Sequence, residues 1–286
     1  ITYEFENIPF ETLHEINKIK TVLPKPSINR IIQHRLAEKD FINNLNIRTT
    51  RYVSIKNKTE IESVQDFLPG LLKTVTLGYD GKGQAIVKSE ADLAMAWDAL
   101  NSDQIIIEGF IDFDMEISVI AARGQDGEVK CFAPVENEHK NHILDLSIAP
   151  ARVSDAILSS AVEKATKIIE NIDYVGVLTV EFFVSQNDPI LRVNEIAPRV
   201  HNSGHWTIEA CPTSQFGQHI RAICGLPLGD VNFQGEARMT NLIGDDILKY
   251  NELLGEKGAS VHHYGKSEIR AGRKLGHVTR LYPTKN

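Results

Sequence analysis

The sequence predicts an α+β fold built on largely antiparallel sheets. Asp155 to Ile172 carries its apolar residues at helical spacing, which predicts an amphipathic helix. Gly176 to Val184 and Ile190 to Ile196 have the composition of strands, and the residues between them favour a turn. Because strands of this kind alternate with helices and turn back on themselves, we expect neighbouring strands to run antiparallel.

Composition excludes several classes of protein. The 286-residue chain has a net charge of -7 and a pI of about 5.8. An acidic balance argues against a nucleic-acid partner, because neutralising phosphates needs clustered lysine and arginine. No run of about 18 apolar residues occurs, so no membrane partner is expected. Cys131, Cys211 and Cys224 are widely spaced without a CxxC pair, which argues against disulfides or zinc and fits a reducing cytosol.

A glycine-rich loop, Gly78 to Gln84, follows a short apolar strand that carries Lys73. Glycines let a backbone approach an anion closely, and the lysine can place its ammonium over the same anion. The loop matches neither the P-loop pattern nor the dinucleotide GxGxxG pattern. A plain β-turn explains it equally well, so spacing alone leaves its role open.

Two glutamates lie on the paired strands described above. With the turn centred on Asn187, Glu181 is expected opposite Val193, and Glu195 lies diagonally on the same face. Neighbouring carboxylates repel unless a cation lies between them, and magnesium suits such oxygen ligands. The alternative is a pair of solvated edge glutamates. The apolar flanks favour the metal, although a slip of one residue would separate the side chains.

Three further polar segments leave alternatives open, and they are residues 134–142, 194–206 and 263–277. In the second, His201 and His205 stand four apart without the glutamate of HExxH, so we interpret them as structural or substrate-facing. The third is a basic run that fits a solvated face or a loop around a phosphate.

Sequence motifs in this order closely resemble the carboxyaminoimidazole ribonucleotide synthetases, which are ATP-grasp enzymes. The motifs are GYDGKGQ at 78–84, EGF at Glu108, ENEHKNHIL at Glu136, NEIAPRVHNSGHWT at Asn194, SQF at Ser214, GLPLG at Gly225 and GRKLGHVT at Gly272. The resemblance extends over nearly the whole chain, and the fourth motif is the most specific. It implies an ATP-grasp fold and the ATP- and bicarbonate-dependent carboxylation of aminoimidazole ribonucleotide in purine biosynthesis.

The same resemblance implies an ATP site spread over the first two thirds of the chain. Its residues are Arg35, Lys73, Gly78, Tyr79, Asp80, Gly81, Lys82, Gly83, Gln84, Glu108, Gly109, Phe110, Ile111, Glu116, His139, Asn194 and Glu195. Glu108 and the backbone after it are assigned to the adenine, and Glu116 to the ribose.

Metal, substrate and catalytic residues are also implied by the resemblance. Glu181 and Glu195 are expected to bind Mg²⁺, in agreement with the strand argument. The ribonucleotide is assigned to Glu4, Tyr79, Asp80, Lys82, Lys266 and Arg273, with the last two at its phosphate. The catalytic residues are expected to be Lys73, Asp80, Lys266 and Arg273.

Four segments follow from the resemblance: a remnant of an N-terminal preATP-grasp domain (1–50), a lid domain (51–112), a central domain (113–230) and a substrate-binding segment (231–286). Compared with the family, we expect the chain to lack an N-terminal glycine-rich segment and the C-terminal end. A cytoplasmic homodimer is implied by the family alone.

Two alternative functions stay open at this point. One is a formate-dependent ATP-grasp transformylase of the same pathway, against which the HNSGHWT and GRKLGH stretches argue. The other is a catalytically silent ATP-binding fragment, which the expected lack of an N-terminal segment motivates.

Overall fold

The computed structural model describes residues 1–76, 83–102, 104–185 and 190–283. Two antiparallel sheets and their covering helices confirm the predicted α+β fold. The α-helices of these ranges are α1 (Phe10–Ile19), α2 (Pro26–Ile32), α3 (Arg35–Asn44), α4 (Glu90–Leu100), α5 (Asp155–Asn171), α6 (Thr207–Ala210), α7 (Gln215–Ile223) and α8 (Tyr250–Leu254). Across the described ranges, every helix is too short or too polar to cross a membrane.

The smaller sheet has four strands in the order β1–β4–β2–β3. Its strands are β1 (Tyr52–Ile55), β2 (Gly70–Thr74), β3 (Gln84–Val87) and β4 (Ile105–Gly109). Helix α4 and the 3₁₀ segment Lys58–Phe67 cover one face and bury Leu72, Ile105 and Ile107. Apolar side chains on that face alternate with outward-facing ones, as a sheet with one covered face requires. Lys73 and Glu108 therefore project from strands whose backbone is held firmly.

The larger sheet contains nine strands, ordered β10–β9–β5–β7–β8–β11–β13–β12, with β6 paired to β5. Its strands are β5 (Met115–Arg123), β6 (Val129–Cys131), β7 (Val135–Lys140), β8 (Ile143–Ala149), β9 (Gly176–Val184), β10 (Arg192–Ala197), β11 (Glu236–Ile243), β12 (Ala259–His263) and β13 (Lys274–Tyr282). Strands of the predicted central domain and of the predicted substrate-binding segment therefore share one sheet. The division into four domains stays a prediction.

Helix α5 confirms the amphipathic pattern predicted for residues 155–172. Ala161, Ala165, Ile168 and Ile169 are buried, and they pack against strands β5 and β9. Burying one apolar stripe in this way stabilises a helix far more than its intrinsic propensity does. The covered side of β9 carries Val180 and Phe182, so Glu181 between them faces the opposite side of the sheet.

Apolar residues near helical spacing in residues 27–45 predict one helix, and this prediction is wrong because the chain forms two helices there. His34 adopts an extended conformation and caps α3 by accepting the N–H of Ala37. The N–H of Arg35 donates instead to the carbonyl of Val75 at 3.0 Å. The break reorients α3 so that Glu38 and Lys39 enter the protein interior.

The register predicted for strands β9 and β10 is also wrong by one residue. Val193 pairs with Phe182 rather than with Glu181, and Ile196 pairs with Val180. A bulge between those two pairs places Asn194 and Glu195 together opposite Glu181. The extra residue of the bulge compensates for the one-residue error in the predicted register, so Glu181 and Glu195 still lie near each other.

Glu38 supports the bulge from helix α3. The N–H of Ile196 donates to Glu38 Oε1 at 2.6 Å, and both residues are buried. Burial, followed by the charge of Glu195, raises the pKa of Glu38 to about 8. A neutral carboxyl group at this position satisfies a backbone donor that no ladder partner reaches.

Replacing Glu38 tests this contact. Glu38→Ala should lower the free energy of unfolding by about 2 kcal/mol, because it orphans the buried N–H of Ile196. Glu38→Gln keeps an acceptor of similar shape and should stay within about 1 kcal/mol of the wild type at pH 7. Urea denaturation measures both values, and equal losses in the two variants would contradict the role of the hydrogen bond.

Three histidine rings form a stack between β12, β13 and the segment before α6. His277 lies between His205, at 4.7 Å between ring centroids, and His262, at 4.5 Å. Burial and then the neighbouring imidazoles lower the pKa of His277 to about 3. Burial, His262 and Lys274 lower that of His205 to about 4. The folded protein therefore keeps the rings of His205 and His277 neutral well below the ordinary histidine pKa of about 6.5.

This stack predicts how stability depends on pH. The unfolded chain binds protons at His205 and His277 below about pH 6.5 and the folded chain does not, so stability should fall from pH 7 towards pH 4. His277→Asn should reduce the proton uptake on unfolding near pH 5 by about one. Urea denaturation across this pH range measures the slope. His14→Asn, which removes an exposed ring, is the control. A pH dependence of stability in His277→Asn equal to that of the wild type would contradict the low pKa of His277.

Candidate active site

A cluster of acidic residues lies on the face of the large sheet opposite helix α5. Glu181 on β9 faces the bulge that carries Asn194 and Glu195 on β10. Glu116 on the neighbouring strand β5 pairs with Phe183, two residues from Glu181. Asn194 donates a side-chain hydrogen bond to Glu181. Three strands thus bring together residues that are up to 79 positions apart in the sequence.

Burial and mutual repulsion both disfavour negative charge in this acidic cluster. Burial, then Glu195 and Glu116, raise the pKa of Glu181 to about 8. Burial and Glu195 raise that of Glu116 to about 7. Carboxyl groups held this close favour protonation or a bound cation. Their oxygen atoms are donors of the kind that a hard divalent cation prefers.

His139 and His201 border the cluster. His139 Nδ1 lies 3.2 Å from Glu116 Oε2, and His201 Nε2 lies 3.3 Å from Glu181 Oε1. Burial is the main cause that lowers the pKa of both imidazoles, and nearby cations lower it further. Neutral rings of this kind can donate a hydrogen bond to a carboxylate without adding a full charge to the site.

A buried chain of hydroxyl and amide groups fixes His201. Its Nδ1 lies 2.8 Å from Ser203 Oγ, which lies 2.8 Å from Ser118 Oγ. Asn137 donates to Ser118, and Ser147 donates to Asn137, each at 2.9 Å. Because every link is buried and paired, the ring is held in one orientation against Glu181.

The N-terminal segment reaches the same region through Arg199. The guanidinium of Arg199 forms a two-pronged ion pair with Glu6, and Glu4 raises its pKa further from nearby. Arg199 in turn opposes the rise in the pKa of Glu181. Glu4, predicted to contact the ribonucleotide, is therefore near the acidic cluster and is exposed.

A second charged cluster lies on the small sheet. Lys73 Nζ on β2 is 3.1 Å from Glu108 Oε2 on β4, and Lys39 Nζ on α3 is 3.3 Å from Glu108 Oε1. Thr50 donates its hydroxyl to Glu108 Oε2 at 3.2 Å. Both carboxylate oxygens thus accept from the protein itself, and Arg35 lies one helical turn before Lys39.

The predicted adenine segment follows Glu108 directly. The N–H groups of Gly109 and Phe110 donate to the carbonyls of Arg51 and Pro69. A cavity of about 480 Å³ is lined by Gly109, Phe110 and Ile111, and its lining includes neither Lys73 nor any residue of the acidic cluster. The cavity is therefore distinct from the two charged clusters.

The residues of the predicted glycine-rich loop are only partly among the residues that the structure describes. Gly78, Tyr79, Asp80, Gly81 and Lys82 lie outside the described residues. Gly83 has a positive φ of 69°, and its carbonyl accepts the N–H of Thr74, while Gln84 pairs with Lys73. The end of the loop, Gly83 and Gln84, thus lies beside the small-sheet lysine.

Lys266 and Arg273 lie in the connection between β12 and β13. Lys266 donates to the carbonyl of Lys274 at 2.9 Å, and Arg273 pairs with Glu268 at 3.1 Å. Lys274 influences the pKa of His139 and of His201, so this basic segment adjoins the border of the acidic cluster.

Sequence reasoning missed Glu38, Lys39 and Arg199. The first two follow Arg35 by three and four residues, so the helical spacing of charged residues was the available signal. Arg199 lies inside the most specific motif and was passed over because its partner, Glu6, is 193 residues away.

A different set of donors, Glu209, His262 and His277, has ligand atoms within 4.8 Å of one another. The rings of His262 and His277 are stacked with only 14° between their planes, so their in-plane lone pairs run side by side instead of meeting. Glu209 already lies 2.6 Å from His262 Nε2. The geometry therefore favours a hydrogen-bonded stack over a metal centre.

Comparisons with known proteins extend over both sheets. A family model for the ATP-grasp domain matches residues 40–216. A model for the phosphoribosylaminoimidazole carboxylase C-terminal domain matches residues 237–286. The two matches together include the acidic cluster, the small-sheet lysine and the basic segment.

Named relatives match over almost the entire chain. The N5-carboxyaminoimidazole ribonucleotide synthase of Brucella melitensis is 47% identical, and the match covers 99% of this chain and 79% of that protein. The synthase of Bacillus subtilis is 45% identical, with 98% and 74% covered.

Solved structures agree with this assignment. The Thermus thermophilus synthetase superimposes with a TM-score of 0.90 at 42% identity, covering 98% of this chain and 76% of that one. The Aspergillus clavatus synthase in complex with ADP and 5-aminoimidazole ribonucleotide gives 0.91 at 34% identity, with 99% and 77% covered. The chain therefore belongs to the N5-carboxyaminoimidazole ribonucleotide synthase family of ATP-grasp enzymes.

Proposed function

We propose that this chain joins bicarbonate to the amine of 5-aminoimidazole ribonucleotide at the expense of ATP, forming 5-(carboxyamino)imidazole ribonucleotide in purine biosynthesis. The observation that carries the proposal is the pair Glu181 and Glu195, held face to face by the bulge of β10. Family membership supports the same reaction, since relatives of that name match 98–99% of the chain.

Glu181 and Glu195 would bind Mg²⁺, with Asn194 beside them. The raised pKa of Glu181 reflects burial and then repulsion by neighbouring carboxylates, which a divalent cation would relieve, and the donor atoms are oxygens. When bound, the ion supplies positive charge that neutralises the phosphates of the nucleotide. His201 and Asn194 keep the Glu181 side chain in place for this contact.

ATP would lie between the small sheet and the acidic cluster. Lys73 and Arg35 provide positive charge for its phosphates, together with the loop 78–84. Glu116 and His139 would hold the ribose side. The adenine would be read by the segment from Glu108 to Ile111, in which the N–H groups of Gly109 and Phe110 already donate to backbone carbonyls.

Phosphoryl transfer comes first in the proposed reaction. A bicarbonate oxygen attacks the terminal phosphorus of ATP, the bond to ADP breaks, and carboxyphosphate forms. Carboxyphosphate releases phosphate and carbon dioxide, and the substrate amine attacks that carbon to give the carbamate and one proton. The labile intermediate must be kept from water, which is the role proposed for the glycine loop as it closes.

The ribonucleotide would be held by Glu4, Tyr79, Asp80, Lys82, Lys266 and Arg273. Lys266 and Arg273 lie beside Lys274, whose charge affects His139 and His201, and they carry the charge that a phosphate needs. Lys73, Asp80, Lys266 and Arg273 are the proposed catalytic residues. A homodimer and a cytoplasmic location, both implied by the family, stay predictions.

Phosphate release tests the reaction directly. The purified chain is incubated with ATP, Mg²⁺ and bicarbonate, with and without aminoimidazole ribonucleotide. Release that increases sharply with the ribonucleotide supports carboxylation. Stimulation by formate in place of bicarbonate would identify a transformylase. ATP binding without release in either case would identify a silent ATP-binding protein.

Glu195→Gln tests the metal assignment. Replacing one carboxylate by an amide weakens the cation site, so Mg²⁺-dependent phosphate release should fall by at least about 100-fold with the fold retained. Glu163→Gln changes an exposed glutamate on α5 and serves as the matched control. Turnover at the wild-type rate in Glu195→Gln, with an unchanged Mg²⁺ requirement, would rule out the ligand role.

A further inference from the structure

Lys39 is a lysine with almost no access to solvent. Its side chain is 2% exposed, whereas that of Lys73 in the same charged cluster is 14% exposed. Burying an ammonium is unfavourable unless charged or polar partners surround it. Neither the proposed ATP contacts nor the proposed substrate contacts include Lys39, so its presence in the interior requires another explanation.

Its partners are all within the protein. Lys39 Nζ donates to Thr50 Oγ1 at 3.0 Å and lies 3.3 Å from Glu108 Oε1. It also lies 5.8 Å from the centre of the Tyr52 ring. Lys73 occupies the other oxygen of Glu108 at 3.1 Å. One carboxylate thus bridges two ammonium groups, with the buried lysine behind it and the more accessible lysine in front.

Lys39 changes the net charge of the cluster that it forms with Lys73 and Glu108. Lys73 and Glu108 alone would form a neutral pair, and the ammonium would be compensated before any ligand arrived. Burial lowers the pKa of Lys39, and the charge of Glu108 opposes that shift. A protonated Lys39 gives the group two positive charges and one negative charge. Burial alone would raise the pKa of Glu108, but Lys73 and Lys39 together hold it below its ordinary value. Glu108 is therefore charged, and one positive charge is left over.

We infer that Lys39 is a positioning residue of the nucleotide site: it neutralises Glu108 from the protein side, so that the Lys73 ammonium stays available for nucleotide phosphates. The inference rests on the proposed ATP site. Glu108 holds the Lys73 side chain in place, and Lys39 keeps that contact from cancelling its charge. A buried Lys39 on helix α3 can do this without itself touching the ligand.

The double replacement Lys39→Met with Glu108→Gln tests the charge argument. Lys39→Met alone leaves a neutral pair, whereas the double variant leaves Lys73 as one uncompensated ammonium, as in the wild type. AMP and ADP share adenine and ribose but differ by a phosphate, so the ratio of their dissociation constants isolates phosphate recognition. Calorimetric titration with both nucleotides provides it.

We expect Lys39→Met to reduce the preference for ADP over AMP about tenfold, since one desolvated charge contact is lost. The double variant should recover a preference within about threefold of the wild type. Lys58→Met removes an exposed lysine that pairs with Asp98 and lies in the 3₁₀ segment covering the small sheet. This variant should leave the preference for ADP over AMP unchanged.

Each outcome decides between the proposals. A wild-type preference in Lys39→Met overturns the inference, and so does a tenfold loss in the double variant. The double variant tests the inference even when Lys39→Met alone does not fold. A parallel loss of AMP and ADP affinity in both variants would assign Lys39 a purely structural role. Failure of the wild type to bind ADP would instead overturn the proposed nucleotide site and the inference with it.

Discussion

Two buried polar side chains on helix α3, Glu38 and Lys39, connect the two halves of the site. Glu38 accepts the N–H of Ile196 next to the bulge, and Lys39 meets Glu108 on the small sheet. The acidic cluster and the small-sheet lysine belong to separate sheets, so their relative position depends on an element that contacts both. Adjacent residues on one helix satisfy this requirement, because a rigid backbone separates their side chains by a fixed angle.

Alternation along strands made the acidic cluster predictable in part. Val180 and Phe182 indicated the buried face of β9, and Glu181 had to point away from it. The pairing with β10 was predicted one residue out of register, because nothing in a single sequence marks where a bulge inserts its extra residue. The bulge nevertheless brings Glu181 and Glu195 together, which alternation along the strands alone does not predict.

The site residues that could not be predicted from the sequence depend on contacts between residues far apart in the chain. Glu38 meets a backbone N–H 158 residues later, and Arg199 meets Glu6 across 193 residues. Such pairs have no periodic signature, unlike helix α5, whose apolar stripe was sufficient to predict it. The break before α3 has no periodic signature for the same reason, since the N–H of Arg35 donates to the distant residue Val75, which directly follows strand β2.

The opposite charges of the two clusters restrict how a nucleotide can lie. Glu116, Glu181 and Glu195 repel one another and favour a cation, whereas Lys39, Lys73 and Glu108 leave one positive charge. A metal-bound triphosphate carries both complementary features, with a cation on one side and uncompensated phosphate oxygens on the other. Such a ligand would satisfy both clusters only with its phosphate chain between the sheets. The two electrostatic imbalances therefore specify one orientation together, which neither cluster specifies alone.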